Sequence, residues 1–306
     1  MNTARQIILL VLAAALPLSS SLLAGTVYEL TSAYHHIRVV DADGVRTLCF
    51  DDAEETRMSL RDPLKGHFEY TEYFHTAWLW NTQLTRVLMI GLGGGTAQRS
   101  FQHYYPTVKV ETVEIDPAVA HVARTYFQFR ESAAQKLYLE DGRMYLRRSQ
   151  ARHDLIILDA YVQSRYGSSI PQHLATREFF ELVRDHLTTN GVVAYNVIGT
   201  MEGSQPDIVG AIYQTLKSVF PQVYLFPAKT SENVVLIATK AGLKTELPLL
   251  RQRAAQLERT RRVTLPGFGQ RVERIEGSPP PSAANSPILT DDYAPVEGLA
   301  RGSGVR

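Results

Sequence analysis

The sequence predicts an α/β fold: a parallel-rich sheet with helices on both faces, preceded by a small β-rich N-terminal domain. Three observations carry this. Between residues 84 and 240 the apolar runs RVLMIG, VKVETVEI, KLYLE, HDLIILDA, GVVAYNVI, QVYLFP and NVVLIAT are separated by helix-like stretches, the pattern of strands covered on both faces. The first run passes straight into a glycine-rich turn, GLGGGT at 91–96, as where a strand hands over to a ligand-facing helix. Upstream, from Gly25 to about Gln83, short alternating runs and tight turns replace that rhythm.

Taken in order, residues 1–24 stand apart. Arg5 precedes the apolar run IILLVLAAALPL, then SSSLLAG. The run suits a secretory signal and is shorter than the ~20 residues of a spanning helix. Leu22 occupies the position three before a cut after Ala24, where a small residue is preferred. The segment therefore reads as a signal for export to the periplasm or as an uncleaved membrane anchor; a vestigial segment would leave the chain in the cytoplasm. Residues 25–83 hold TVYEL and YHHIRVVDADGVRTLCFDD, whose DADG turn is a hairpin signal, and a helix is expected over His67 to Trp80. Within 84–240, Ile208, Ile212, Leu216 and Val219 form one stripe of a helix from Asp207 to Phe220. Residues 241–306 read as an exposed charged helix, LKTELPLLRQRAAQLERTRRV, a Pro/Ser/Gly-rich linker from Gly277 to Pro287, and a tail.

Composition narrows the partners. The 32 basic and 31 acidic residues nearly cancel, so no broad field draws nucleic acid or an anionic membrane surface. A charged ligand must be met by local groups. The single cysteine, Cys49, excludes an internal disulfide and a thiolate zinc site. His35 and His36 are strand neighbours that point to opposite faces and so would not share an ion; no metal site is expected.

The chemistry gathers at strand ends. Gly91 and Gly93 let backbone approach a ligand closely. The second run ends in VEID, setting Glu114 at the carboxyl edge of the neighbouring strand, with Asp116 just beyond; an acid there can grip both ribose hydroxyls. A P-loop lysine is absent, which argues against nucleoside triphosphates. The third run places Asp141 and Gly142 past its end, suited to an adenine amino group and ring, and the fourth delivers Asp159 to the same edge. Such a crevice favours a cation. This is the arrangement of Rossmann-like, methyltransferase-type folds that hold a single nucleoside.

The series GLGGGT, VEID, EDGRMYL, DLIILDA and IPQHLATREFFELVRDHLTTNGVVAYNV resembles the catalytic domain of spermidine synthase and its relatives, the polyamine aminopropyltransferases. SAYHHIRVVD and LCFDDAEETRMSLRDP resemble that family's N-terminal β-domain, and LTDDYAPVE the tail of its membrane-fused branch. The resemblance implies decarboxylated S-adenosylmethionine as co-substrate with no tightly bound cofactor. It implies that Glu114 binds ribose, Asp141 binds adenine, and Asp159 is the acid/base group beside the acceptor amine. Gly91, Gly93, Asp116, Gly142 and His35 complete the donor site, and Tyr70, Glu72, Asp159 and Tyr161 face the acceptor. It also implies pairing of two copies through the β-domain and tail.

Four positions depart from the family pattern: Gly94 replaces an acid in the glycine loop, Val162 a second aspartate after Asp159, Thr71 a histidine, and Phe226 a tyrosine. These are substrate-side losses, for which Glu72, Asp291 or Asp292 are candidates to substitute. Three functions stay open: aminopropyl transfer to a polyamine such as putrescine, methyl transfer from S-adenosylmethionine, and non-catalytic binding of a polyamine or nucleoside.

Overall fold

The computed structural model describes residues 25–164, 167–242 and 245–302; the signal-like segment 1–24 lies outside them. Strands β1 (Gly25–Thr31), β2 (His36–Ala42), β3 (Val45–Phe50) and β4 (Ala53–Ser59) form an antiparallel meander in that order. Asp43 and Gly44 take positive φ, 50° and 76°, as the predicted two-residue hairpin requires. Pairing between β3 and β4 slips by one residue: Leu48 faces Thr56 but Cys49 faces Glu54, leaving Glu55 as the extra residue of a bulge.

The expected helix over His67 to Trp80 is instead a single turn, α1 (Tyr70–Tyr73), running into a 3₁₀ segment, Phe74–Leu79. Thr71 Oγ1 donates to the Phe68 carbonyl at 2.9 Å and Thr76 Oγ1 to that of Tyr73 at 2.6 Å. Those side-chain bonds compete with regular helical pairing, and nearly every residue of the segment is buried.

The second sheet is built by β5 (Arg86–Ile90), α2 (Thr96–Tyr104), β6 (Lys109–Glu114), α3 (Pro117–Tyr126), β7 (Gln135–Leu139), α4 (Gly142–Arg148) and β8 (His153–Leu158). A small hairpin follows, β9 (Val162–Ser164) with β10 (Gly167–Ser169), then α5 (Arg177–Asp185), β11 (Leu187–Ile198), α6 (Ile208–Val219), β12 (Gln222–Pro227) and β13 (Asn233–Thr239). The sheet order is β12-β13-β11-β8-β5-β6-β7. β13 alone runs antiparallel to its neighbours, so the Rossmann-like, methyltransferase-type architecture read from the alternating runs is the one formed. Two apolar layers cover the faces, one around Phe179, Phe180 and Ile212, the other around Phe74, Phe101 and Phe226. The meander docks separately, Ile37, Val39, Leu48 and Met58 packing on Val119, Val122 and Phe127 of the α3 region.

Beyond Thr239 two expectations are corrected. The charged segment forms α7 (Leu247–Arg259), but Leu250, Ala254 and Leu257 are buried, because an i, i+4, i+7 stripe suffices to seat a helix whose other faces are charged. The Pro/Ser-rich stretch is packed rather than a linker: Ser282 is 1% exposed and its Oγ donates to Asp207 Oδ1 at 2.8 Å. Helices α8 (Phe268–Val272) and α9 (Val296–Gly302) are the last among the described residues. Among the described residues no helix is long and apolar enough to cross a membrane.

Candidate functional site

The carboxyl ends of β5, β6, β7 and β8 open into one cavity of about 290 Å³, closed on the far side by β4 and by Tyr70 of α1. Its floor is the glycine turn. Gly91 adopts φ +102°, and a Cβ there would stand 2.0 Å from the Asp159 carbonyl oxygen; only glycine lets the ends of β5 and β8 approach so closely. Gly95, also left-handed, starts α2. Arg99 fastens this turn by donating to the carbonyl oxygens of Gly94 and of Phe127. The family's acidic position has no room for an acid here: a Cβ on Gly94 would meet Thr56 Cγ2 at 2.6 Å and Phe127 Cδ1 at 2.9 Å, and the Gly94 amide donates to Thr56 Oγ1.

Glu114 ends β6 with its carboxylate buried. Oε2 accepts the Leu92 amide at 3.0 Å and Oε1 the Asp116 amide at 2.9 Å. Burial nevertheless outweighs those bonds and pushes its pKa up to about 7. Asp141 caps α4 through Oδ1 to the Met144 amide and pairs with His173 Nε2 through Oδ2, 2.7 Å away. The histidine contact holds it below the usual carboxylate range. Gly142 beside it presses on Ile90, where a Cβ would come within 2.4 Å of Cγ2.

Asp159 follows β8 and lines the same cavity. Its Oδ1 accepts Asn196 Nδ2 at 2.9 Å and its Oδ2 the Tyr70 hydroxyl at 3.3 Å. Burial raises its pKa to about 6 against these two donors. Tyr161 is held by its own hydroxyl, which donates to the Asn196 carbonyl and accepts the Ile198 amide, each at 2.9 Å. His35 lies on the wall with its ring stacked 4.0 Å from Phe50; burial depresses its pKa.

The structure thus brings Gly91, Gly93, Glu114, Asp141, Gly142, Asp159, His35, Tyr70 and Tyr161 to one cavity. Asp116 stands behind it, capping α3 through the Ala118 amide and accepting the Ser32 hydroxyl. Glu72 faces away, paired with His67 and Arg271, because the single helical turn carrying Tyr70 inward points Glu72 elsewhere. Asp291 forms a fork with Arg143 at 2.7 and 2.6 Å, Asp292 is exposed, and Phe226 packs on Tyr73. None of these four lines the cavity. Charged residues and histidines that sequence reasoning missed line it as well, among them Glu55, Arg57, Glu140 and His173. The doublet EE at 54–55 was visible, but the bulge that aims Glu55 inward was not.

Against known proteins, a model of the spermine/spermidine synthase domain matches residues 67–244. A polyamine aminopropyltransferase of Vibrio vulnificus (strain CMCP6) is 30% identical over 238 residues, covering 75% of this chain and 77% of that protein. An eEF1A lysine and N-terminal methyltransferase of Xenopus laevis is 32% identical over 158 residues, 49% of this chain and 22% of that protein. Among solved structures, that of a probable spermidine synthase from Corynebacterium glutamicum ATCC 13032 superposes with a TM-score of 0.61 at 23% identity, covering 76% of this chain and 86% of the other. That last likeness concerns the fold.

Proposed function

We propose that this chain, which belongs to the spermine/spermidine synthase family, transfers an aminopropyl group from decarboxylated S-adenosylmethionine to an amine. The observation that carries the reading is the meeting of Glu114, Asp141 and Asp159, from three strand ends, on one cavity wide enough for a nucleoside. Asp141 and Gly142 take the adenine, Glu114 the ribose, and the glycine turn the backbone side of the donor. The sulfonium then lies toward Asp159.

The acceptor enters as an ammonium, which has no lone pair to attack with. Asp159 orients it and accepts one proton as attack develops, its pKa near 6 allowing release of that proton to water afterwards. The freed nitrogen lone pair forms a bond to the propyl carbon while the carbon–sulfur bond breaks. That electron pair stays on sulfur, leaving a neutral thioether nucleoside. The sulfonium supplies its own leaving group, so the protein contributes mainly alignment.

Methyl transfer from S-adenosylmethionine is the second reading. Arg57 lines the cavity and has no carboxylate within ion-pair distance among the described residues, and Gly94 adds no acid to repel a donor carboxylate. Incubating purified protein with each sulfonium and a panel of amines, read by mass spectrometry, separates the two. Gain of an aminopropyl unit supports the first reading, and gain of a methyl group replaces it with the second.

A further inference from the structure

Helix α1 is four residues long, too short to be stable by itself, so its position is set by the groups that grip it. On one side its N-cap residue, Glu69, accepts the Lys229 and Thr230 amides at 2.7 and 3.1 Å and the Tyr73 hydroxyl at 3.1 Å. On the other, Glu72 pairs with His67 at 2.8 Å and with Arg271 of α8. Two residues apart on a helical turn, Tyr70 and Glu72 point in nearly opposite directions. Tyr70 therefore turns inward, where its hydroxyl donates to Asp159 Oδ2 at 3.3 Å. That is long for such a bond, and a small displacement of the turn breaks it.

Arg271 belongs to a segment, 247–276, that lies beyond the residues matched by the synthase-domain model. Three arginines of this segment reach back to one stretch of chain. Arg253 Nη1 donates to the Leu79 carbonyl at 3.1 Å and Arg262 Nε to that of Thr82 at 3.2 Å, with the Arg262 guanidinium 5.6 Å from the Trp78 ring centre. Arg271 is the one of the three that engages a side chain of α1. Its Nη1 also donates to the Gly267 carbonyl at 2.8 Å, so its guanidinium ties the start of α8 to the turn that carries Tyr70. Both members of the Arg271–Glu72 pair are largely buried, where removing one partner costs far more than at a surface.

We infer that Arg271 is a positioning residue: through Glu72 it fixes the helical turn that brings the Tyr70 hydroxyl to Asp159. The inference rests on the aminopropyltransfer reading, in which Asp159 receives the amine proton. The C-terminal segment thus orients the proton acceptor without entering the cavity.

The test is a double-mutant cycle of Arg271→Met and Tyr70→Phe, with Arg271→Lys as the conservative variant and Glu72→Gln removing the pair from its other side. Circular dichroism and the melting temperature check folding, and the Kd for 5′-methylthioadenosine checks the donor site. Loss of a hydrogen bond to a charged group predicts that Arg271→Met and Glu72→Gln each lower kcat/KM about tenfold or more, with Arg271→Lys restoring most of it. The Tyr70 hydroxyl favours the charged form of Asp159, so the acid limb of the pH profile should move to higher pH in both variants. Glu55, Tyr161 and Tyr195 also feel the Asp159 charge but sit on other elements. In the Tyr70→Phe background Arg271→Met should add almost nothing. An equal cost in both backgrounds, or an unmoved acid limb, overturns the assignment. If the parent transfers nothing to any amine, the functional reading fails, and a crystal structure of Arg271→Met decides the positioning role by itself. A Tyr70 hydroxyl displaced beyond hydrogen-bond reach of Asp159 upholds it; an unchanged contact rejects it.

Discussion

Asp141, Glu114 and Asp159 share one cavity but not one charge state. Asp141 is held ionised by His173 and the Met144 amide, whereas burial brings Glu114 to about 7 and Asp159 to about 6. Binding of a cationic donor and amine should therefore strengthen as pH rises through this range, and calorimetric Kd values should fall between pH 5.5 and 8. Flat affinity would show that these acids do not meet the cations. The same shift acts on stability with a definite sign. Asp159 keeps its proton longer in the folded state than in the unfolded one, so its contribution favours folding at low pH and is lost as pH rises from about 4 to about 6. Asparagine can keep both partners, since its carbonyl accepts from Asn196 and the Tyr70 hydroxyl can reverse. We expect Asp159→Asn to match the parent near pH 4 and to exceed its stability at pH 8, by roughly 1–2 kcal/mol once solvent in the cavity is allowed for. Its kcat/KM should drop ~100- to 10,000-fold, with 5′-methylthioadenosine binding retained.

At the scale of elements, the β5–α2 turn is defined by how little space it leaves. Gly91→Ala would press a methyl group onto the Asp159 carbonyl in a conformation that alanine resists, whereas at Gly93 the nearest atom is Thr56 Oγ1 at 3.0 Å. Gly91→Ala should therefore lower the melting temperature much more than Gly93→Ala, the first by an amount equivalent to about 3 kcal/mol or more. Arg99→Leu should cost roughly 3 kcal/mol by orphaning the Gly94 and Phe127 carbonyls, and should weaken nucleoside binding because the turn is freed. The strand ends themselves were legible in the sequence, since each apolar run stops where its acid begins. The segment 67–80 was not, because hydroxyl back-bonding at Thr71 and Thr76 and wholesale burial decide its form. Neither was the direction of Glu72 or Glu55, which depends on a helical turn and on a bulge rather than on spacing.

For the whole molecule, two sheets meet at one cavity: the parallel-rich sheet supplies Glu114, Asp141 and Asp159, and the meander supplies Glu55, Arg57 and His35. The alternation of apolar runs revealed the larger sheet, and the hairpin turn at Asp43–Gly44 revealed the smaller. How the meander closes the crevice was not readable, because that docking rests on Ile37, Val39 and Met58 meeting α3, a long-range packing that leaves no local signature. The most direct test is a crystal structure of the protein with the decarboxylated donor and a non-reacting diamine. The account predicts adenine beside Asp141 and Gly142, ribose hydroxyls on Glu114, the sulfonium facing Asp159 and one amine of the diamine beside Asp159. Nucleoside density outside this crevice, or inside it with the sulfonium turned away from Asp159, would contradict it.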